Sequence, residues 1–155
     1  MILKDVHLTL PSAAGPVNIL AGISLTVSPG ETVALLGPSG SGKSSLLMVA
    51  AGLEAPTAGE VYVAGTDITK LGEDALARFR RGHVGVVFQS FHLIPTMTAL
   101  ENVAVPLELA GAKDAFARAE EELGAVGLSH RLDHYPGQLS GGEQQRVALA
   151  RAIAP

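Results

Sequence analysis

The sequence predicts an α/β fold with an antiparallel β part at the N-terminus and an inserted helical lobe. Ile2–Leu10 and Leu20–Val27 alternate apolar and polar residues, as half-buried strands do. A strand-like run, Thr32–Leu36, then leads through a glycine-rich loop into a helix-like run, Lys43–Ala51, which is the order of an α/β unit. From Phe91 to Pro136 the apolar residues recur at helical spacing, so this region is predicted to be helical and not a further strand–helix unit.

The remaining elements follow from local patterns. Turns rich in proline, glycine and serine are predicted at Pro11–Pro16 and Ser28–Gly30, and Glu60–Ala64 is predicted to be another strand. Residues 73–81 are predicted to form a short helix, because acidic residues come first and basic residues last, as the helix dipole favours. The helical spacing of the lobe rests on Leu100, Val103, Val105, Leu107 and Leu109, and then on Ala115, Phe116, Ala119 and Leu123.

Composition limits the classes of function. The 155 residues are 47% hydrophobic and 17% charged, which suits one buried core and excludes a disordered chain. No apolar run reaches the ~18 residues of a membrane span, and the N-terminus lacks a signal-peptide pattern, so we expect a cytoplasmic protein without direct membrane insertion. The absence of cysteine excludes thiolate metal sites. A net charge of −4 argues against binding of nucleic acid by a broad basic surface.

A phosphate-binding loop is predicted between Thr32–Leu36 and the following helix. The pattern G-x-x-x-x-G-K-[ST] is matched by Gly37, Pro38, Ser39, Gly40, Ser41, Gly42, Lys43 and Ser44. Backbone amides of such a loop surround a phosphate, the lysine reaches the β- and γ-phosphates, and the serine hydroxyl ligates Mg²⁺. Ser45 follows on the same helix and is included among the nucleotide-binding residues. A chance match is the alternative, and the flanking strand-like and helix-like runs argue against it.

A second anion site is predicted where the last apolar-periodic segment begins. Ser140, Gly141 and Gly142 precede Glu143 at a predicted helix start. The first N–H groups of a helix lack intrahelical acceptors and carry partial positive charge, while glycine allows an anion to approach the backbone. Alone, this pattern indicates an anion site and no more.

These two elements and Gln89 together resemble a known family. Val84–Gln89 reads as a short buried strand that ends in glutamine, and Leu139–Ala152 reads LSGGEQQRVALARA. With the P-loop they resemble the ATP-binding subunits of ABC transporters, whose LSGGQ-like signature is diagnostic and whose Q-loop follows such a strand. Without that context, Gln89 would be interpreted simply as a polar residue at a strand end. Phe88–Val103 and residues 37–47 resemble the lipoprotein-releasing and macrolide-exporter subgroup.

The resemblance implies a P-loop NTPase core that takes ATP and Mg²⁺. It implies catalytic roles for Lys43 and Gln89 and Mg²⁺ ligation by Ser44 and Gln89. It further implies a head-to-tail homodimer in which Ser140, Gly141 and Gly142 of one copy bind the γ-phosphate held by the other. Glu143 is not expected to be the catalytic base, because an acid is favoured at a helix start in any case.

The resemblance also implies a membrane-spanning permease subunit as partner and a peripheral location at the inner face of the plasma membrane. Candidates for the partner surface are Phe91, His92, Leu93, Ile94, Met97 and Thr98. Packing in the core is the alternative, and it is weighed equally for Leu93 and Met97. His130 and His134 stand four apart without a third ligand of a suitable kind nearby, so we do not predict a metal site there.

The expected domain is a single, incomplete nucleotide-binding domain over 1–155. It is divided into a β subdomain with the P-loop core (1–90), the helical lobe (91–137) and the signature with its helix (138–155). The family's aromatic residue that stacks on adenine would fall near Leu10, which has no aromatic ring. After the signature helix, the family has a hydrophobic strand that ends in Asp, a Glu that polarises water and a later His. The sequence, which ends at Pro155, contains none of them, so we expect little turnover by this chain, a bare sheet edge and an incomplete core.

Two other classes of function remain open from the sequence. One is a nucleotide-binding module without turnover. The other is a soluble ATP switch of the kind that acts on nucleic acid, which the acidic charge and the segment Phe91–Val103 disfavour.

Overall fold

The computed structural model describes residues 1–155, which form two compact units, Met1–His83 and Val84–Pro155. The predicted division of the domain at residues 90 and 137 stays a prediction, because it was drawn between sequence motifs, whereas the two units are defined by their compactness. No helix in the structure has the length and apolar character that crossing a membrane requires.

The first unit contains an antiparallel sheet of four strands in the order β2-β1-β3-β4. The strands are β1 (Ile2–Leu10), β2 (Val17–Thr26), β3 (Ala58–Val63) and β4 (Thr66–Asp67). β1 is central and pairs with both β2 and β3, with Leu3 opposite Leu25 on one side and Val61 on the other. β1 buries Leu3, Val6 and Leu8, which are at most 2% exposed. Leu3 and Val6 are both buried despite their odd spacing, because the pairing register shifts between them, where Asp5 has a φ of 48°. The prediction of strands at both N-terminal segments is confirmed.

Two α-helices complete this unit. They are α1 (Lys43–Ala50) and α2 (Glu73–His83), and a short 3₁₀ helix, Ile68–Lys70, precedes α2. α1 buries Val49 and Ala50. α2 buries no residue, and its order of acids before bases agrees with the helix predicted over 73–81.

The predicted strand Thr32–Leu36 is not formed. A strand requires backbone hydrogen bonds to a neighbour, and this segment joins none of the four strands of the sheet. Its side chains are accordingly not in a core, since Val33 is 43% and Leu36 is 91% exposed. The expected bare edge of a core sheet stays a prediction, because the four-stranded sheet does not extend to this segment.

The second unit is helical. It contains α3 (Ala99–Leu109), α4 (Ala115–Ala125) and α5 (Gly141–Ile153), with a 3₁₀ turn, Pro136–Gln138, before α5. The apolar periodicity of the lobe is confirmed on its inner faces, where Val103, Leu107, Ala119 and Leu123 are fully buried in one cluster with Val147 and Ala150 of α5. Leu109 and Phe116 belong to the same sequence pattern but are 70% and 47% exposed.

Val84–Gln89 is likewise not a hydrogen-bonded strand, contrary to the prediction. The segment has no neighbouring strand to pair with, and Val87 is 42% exposed. Gly85 nevertheless lies against α5, because a Cβ at this position would collide with the backbone carbonyl of Ala152.

Candidate functional site

The glycine-rich loop 37–44 turns directly into α1. Gly40 and Gly42 have φ values of 79° and 84°, in the left-handed region that side-chain-bearing residues avoid. Gly42 is the residue before the helix, and a Cβ there would lie 2.9 Å from the carbonyl oxygen of Ile19. Glycine is therefore required at this position by both conformation and space.

Lys43 folds over the loop that precedes it. Its ammonium donates hydrogen bonds to the carbonyl oxygens of Gly37 at 2.9 Å and Pro38 at 2.6 Å, and to the hydroxyl of Ser41 at 3.2 Å. All three acceptors are neutral and belong to the loop itself. The positive charge thus lies inside the loop without a carboxylate partner, which makes it available to an anion that enters the loop.

The start of α1 adds to this positive character. No side chain caps the helix, and its first turn contains no acidic residue. The first N–H groups are therefore left without intrahelical acceptors, as an anion site requires. Ser44 is exposed in this first turn, and Ser45 is partly buried beside it, while Pro38 and Ser39 are exposed in the loop.

The second predicted anion site is the start of α5. Ser140 caps this helix in a capping box: its hydroxyl oxygen accepts from the Glu143 N–H at 3.3 Å, and Glu143 Oε2 accepts from the Ser140 N–H at 2.8 Å. The Ser140 hydroxyl also donates to the same carboxylate oxygen at 2.7 Å. Gly141 and Gly142 follow as the first helical residues. Both are exposed, and the space beside Gly141 is open.

Glu143 is held as a carboxylate in this arrangement. Hydrogen bonds from Ser140, first from its backbone and then from its hydroxyl, lower the pKa of Glu143 to about 2, and Arg131 contributes further. Arg131 Nε donates to Glu143 Oε1 at 2.9 Å. Such a weakly basic carboxylate is poorly suited to remove a proton from water near neutral pH, which fits a capping role for Glu143.

Gln89 lies in a turn after the segment Val84–Phe88, and it is exposed. The structure places the predicted site residues in separate groups. Residues 37–45 lie together in the first unit, and Gln89 and Ser140–Gly142 belong to the second.

The residues of the candidate partner surface differ in exposure and in role. His92 is exposed, Phe91 and Met97 are half-buried, and Leu93 packs against the helical core. Thr98 caps α3, since its hydroxyl accepts from the Glu101 N–H at 3.2 Å. Core packing thus accounts for Leu93 and helix capping for Thr98.

Asn102 is a residue of this region to which the sequence analysis assigned no role. It is fully buried, and its Nδ2 donates to the carbonyl oxygens of Ile94, Met97 and Thr98 at 3.1, 3.0 and 2.9 Å. Its Oδ1 accepts from the Ile94 N–H at 2.7 Å. One side chain thus fixes the backbone of residues 94–98 onto α3. The sequence signal for this role was a polar residue, Asn102, within the apolar stripe of a predicted helix.

His130 and His134 do not share a helix. Residues 129–134 form turns, and His134 Nε2 lies 3.0 Å from Arg131 Nη1. Leu10, at the position where an aromatic side chain was expected, ends β1 and pairs with Val17.

Comparisons with known proteins agree on one family. A family model described as ABC transporter matches residues 20–155. The lipoprotein-releasing system ATP-binding protein LolD of Geobacter metallireducens is 58% identical over 139 residues, covering 88% of this chain and 62% of that protein. LolD 2 of Caulobacter vibrioides is 53% identical over 156 residues, covering 99% and 68%. The chain therefore spans 62% and 68% of the length of these two relatives.

A solved structure has the same fold. The ATP-binding cassette MJ0796, described as dimeric, in a post-hydrolysis state and bound to ADP and Pi, superposes with a TM-score of 0.90. The two sequences are 42% identical, and the match covers 99% of this chain and 68% of that one.

Proposed function

Because this chain belongs to the ABC transporter family, we propose that it is an ATP-binding subunit of a transporter and that loop 37–44 binds the phosphates of ATP. The observation that carries this proposal is the position of Lys43, whose ammonium lies within the loop among neutral acceptors only. A phosphate oxygen is a stronger acceptor than a carbonyl or hydroxyl, so ATP binding draws the ammonium away from Gly37, Pro38 and Ser41.

The residues present fit Mg²⁺ as the accompanying cofactor. Ser44 offers an exposed hydroxyl in the first turn of α1, and Mg²⁺ prefers oxygen ligands. When bound, Mg²⁺ neutralises part of the phosphate charge. We propose Ser44 and Gln89 as its protein ligands and Lys43 and Gln89 as the catalytic residues of the assembled ATPase.

We propose that the signature acts on a second copy of the chain. The open space at Gly141 and the exposed first turn of α5 leave room for an anion from outside the chain. The Ser140 hydroxyl then exchanges its bond to Glu143 for one to the γ-phosphate. Arg131 neutralises Glu143 and thereby limits its repulsion of that phosphate. The dimeric description of the MJ0796 cassette supports this arrangement.

A membrane-spanning permease is the proposed partner, and attachment to it at the inner face of the plasma membrane is the proposed location. The lipoprotein-releasing relatives, at 58% and 53% identity, favour release of lipoproteins as the transport process of the assembly.

Nucleotide titration tests the proposal for the P-loop. Titration of the chain with a fluorescent ATP analogue and Mg²⁺ is expected to show binding that Lys43→Ala weakens at least about tenfold, the effect of losing one charge-assisted hydrogen bond. Lys113→Ala is the matched control, since Lys113 is exposed in a turn outside the proposed site and loses the same charge. Equal affinity of Lys43→Ala and the control would contradict the assignment of the loop.

A further inference from the structure

The last turn of α5 holds the chain on both sides of Gln89. After Gln89, the guanidinium of Arg151 donates from Nη2 to the carbonyl oxygen of Phe91 and from Nη1 to that of His92, each at 2.7 Å. Before Gln89, Gly85 packs so closely on the carbonyl of Ala152 that no side chain fits between them. Arg151 and Ala152, two consecutive residues of α5, thus contact the chain just after and just before the turn at Gln89.

The segment that Arg151 holds has an unfavourable backbone. Phe91 and His92 have φ values of 59° and 47°, in the left-handed region that residues with side chains rarely adopt. Such conformations persist only when surrounding contacts enforce them. The carbonyl oxygens of these two successive residues both accept from one guanidinium, whose planar donors can bridge two neighbouring acceptors in a fixed geometry.

Local hydrogen bonds also support this conformation. The Phe91 N–H donates to the carbonyl oxygen of Phe88 at 3.0 Å, the His92 N–H donates to that of Ser90 at 2.6 Å, and the Ser90 hydroxyl lies 2.8 Å from His92 Nε2. Arg151 supplies the contact from outside the turn. Burial lowers the pKa of Arg151 from its ordinary value, as expected for a guanidinium that is partly withdrawn from water.

We propose that Arg151 is a positioning residue that ties the loop 89–92 to α5, so that the loop follows any movement of the helix that begins at Ser140–Gly142. α5 has 13 residues and buries Val147, Ala148 and Ala150, so it is one rigid rod. This inference rests on the proposed function, which assigns a role to each end of α5. One end of the rod is the proposed γ-phosphate contact, and the other holds the turn that carries Gln89 and the first residues of the candidate partner surface.

Amide hydrogen exchange of the full 155-residue chain, without nucleotide, tests the positioning role. Arg151→Gln is expected to accelerate exchange at the Phe91 and His92 amides at least about tenfold, because the left-handed turn opens once its external contact is lost. The Gln144 amide, which donates to the Ser140 carbonyl at the start of α5, should change less than about twofold. Arg151→Lys should restore part of the protection, since an ammonium cannot bridge both carbonyls in the same fixed plane.

Arg118→Gln is the matched control. Arg118 also donates from its guanidinium to a carbonyl near the end of α5, that of Ala154 at 2.7 Å, but it does not contact the loop. We expect it to leave exchange at Phe91 and His92 unchanged. Unchanged exchange of these two amides in Arg151→Gln, or equal acceleration in α5, would overturn the proposal. Because Arg151→Lys keeps the charge and most of the aliphatic stem, it tests the same point if Arg151→Gln does not fold.

A double substitution separates positioning from general support. Glycine adopts positive φ without penalty, so Phe91→Gly, at a φ of 59°, should make the loop less dependent on Arg151. The acceleration caused by Arg151→Gln is then expected to be smaller in the Phe91→Gly background, and an undiminished acceleration would count against positioning. Failure of the unsubstituted chain to bind the ATP analogue would contradict the proposed function, whereas these exchange results without nucleotide decide the role of Arg151 separately.

Discussion

Gly42 is a residue whose identity is set by backbone conformation and by space together. Its φ of 84° and the 2.9 Å separation of an added Cβ from the Ile19 carbonyl oxygen exclude a side chain without movement of the loop. We expect Gly42→Ala to lower the free energy of unfolding by ~1–2 kcal/mol, the cost of a left-handed alanine, and to weaken nucleotide binding. Urea unfolding and titration with the ATP analogue measure the two effects.

Gly82→Ala is the matched control for Gly42→Ala. Gly82 lies within α2, has open space around its Cα, and does not have positive φ. Because alanine favours a helix over glycine by ~1 kcal/mol, this substitution should be neutral or stabilising. A Gly42→Ala chain as stable as Gly82→Ala would show that the loop adapts to a side chain.

Glu143 gives the stability of α5 a defined dependence on pH. Its pKa is lowered from 4.5 to about 2, chiefly by hydrogen bonds from Ser140, so folding favours the ionised form. The resulting stabilisation is complete above pH 4.5 and is lost as the pH falls from 4.5 toward 2. Glu143→Gln keeps an oxygen for the capping box but does not titrate. We therefore expect the difference in melting temperature between the unsubstituted chain and Glu143→Gln to shrink over this interval; a constant difference in circular-dichroism melts would contradict it.

The segment before α3 depends on one buried amide. Asn102→Asp keeps the oxygen that accepts from the Ile94 N–H but replaces the donor to three carbonyl oxygens with a buried acceptor or charge. We expect the free energy of unfolding to fall by ~2–5 kcal/mol, as for other buried polar groups that lose their partners. Asn18→Asp is the control, because the exposed Asn18 uses only its Oδ1, which accepts from Thr9 at 2.7 Å. Equal denaturation midpoints for the two variants would refute this role of Asn102.

Elements whose structure depends on local sequence were predicted from the sequence, and those that depend on distant partners were not. The apolar pattern of β1 and the helix start at Ser140–Gly142 depend on residues only a few positions apart, so the local pattern determines the outcome. Thr32–Leu36 and Val84–Gln89 have strand-like composition, but a strand also needs a neighbour, which composition does not reveal.

The candidate site divides in the same way. The glycines and Lys43 of the P-loop are recognisable because the loop's geometry requires them at fixed spacing. The role of Arg151 could not be predicted from the sequence, because it depends on hydrogen bonds to Phe91 and His92, which lie 60 and 59 positions away. The left-handed conformation of those two residues carries no sequence signal either, because neither is glycine.

The pairing of two chains around nucleotide is the remaining test of the proposed assembly. If Ser140–Gly142 of one copy contacts the γ-phosphate on another, an arginine at position 140 fills the space for that phosphate and removes the hydroxyl, yet leaves the P-loop intact. We expect Ser140→Arg to bind the ATP analogue normally but to lose ATP-dependent dimerisation in sedimentation velocity, with a dimer dissociation constant raised at least about tenfold. Ser129→Arg adds the same bulk and charge at an exposed turn after α4 and should dimerise as the unsubstituted chain does. Because both variants carry the extra positive charge, a loss confined to Ser140→Arg reports the signature contact, whereas an ATP-dependent dimer of Ser140→Arg would exclude a trans role for this helix start.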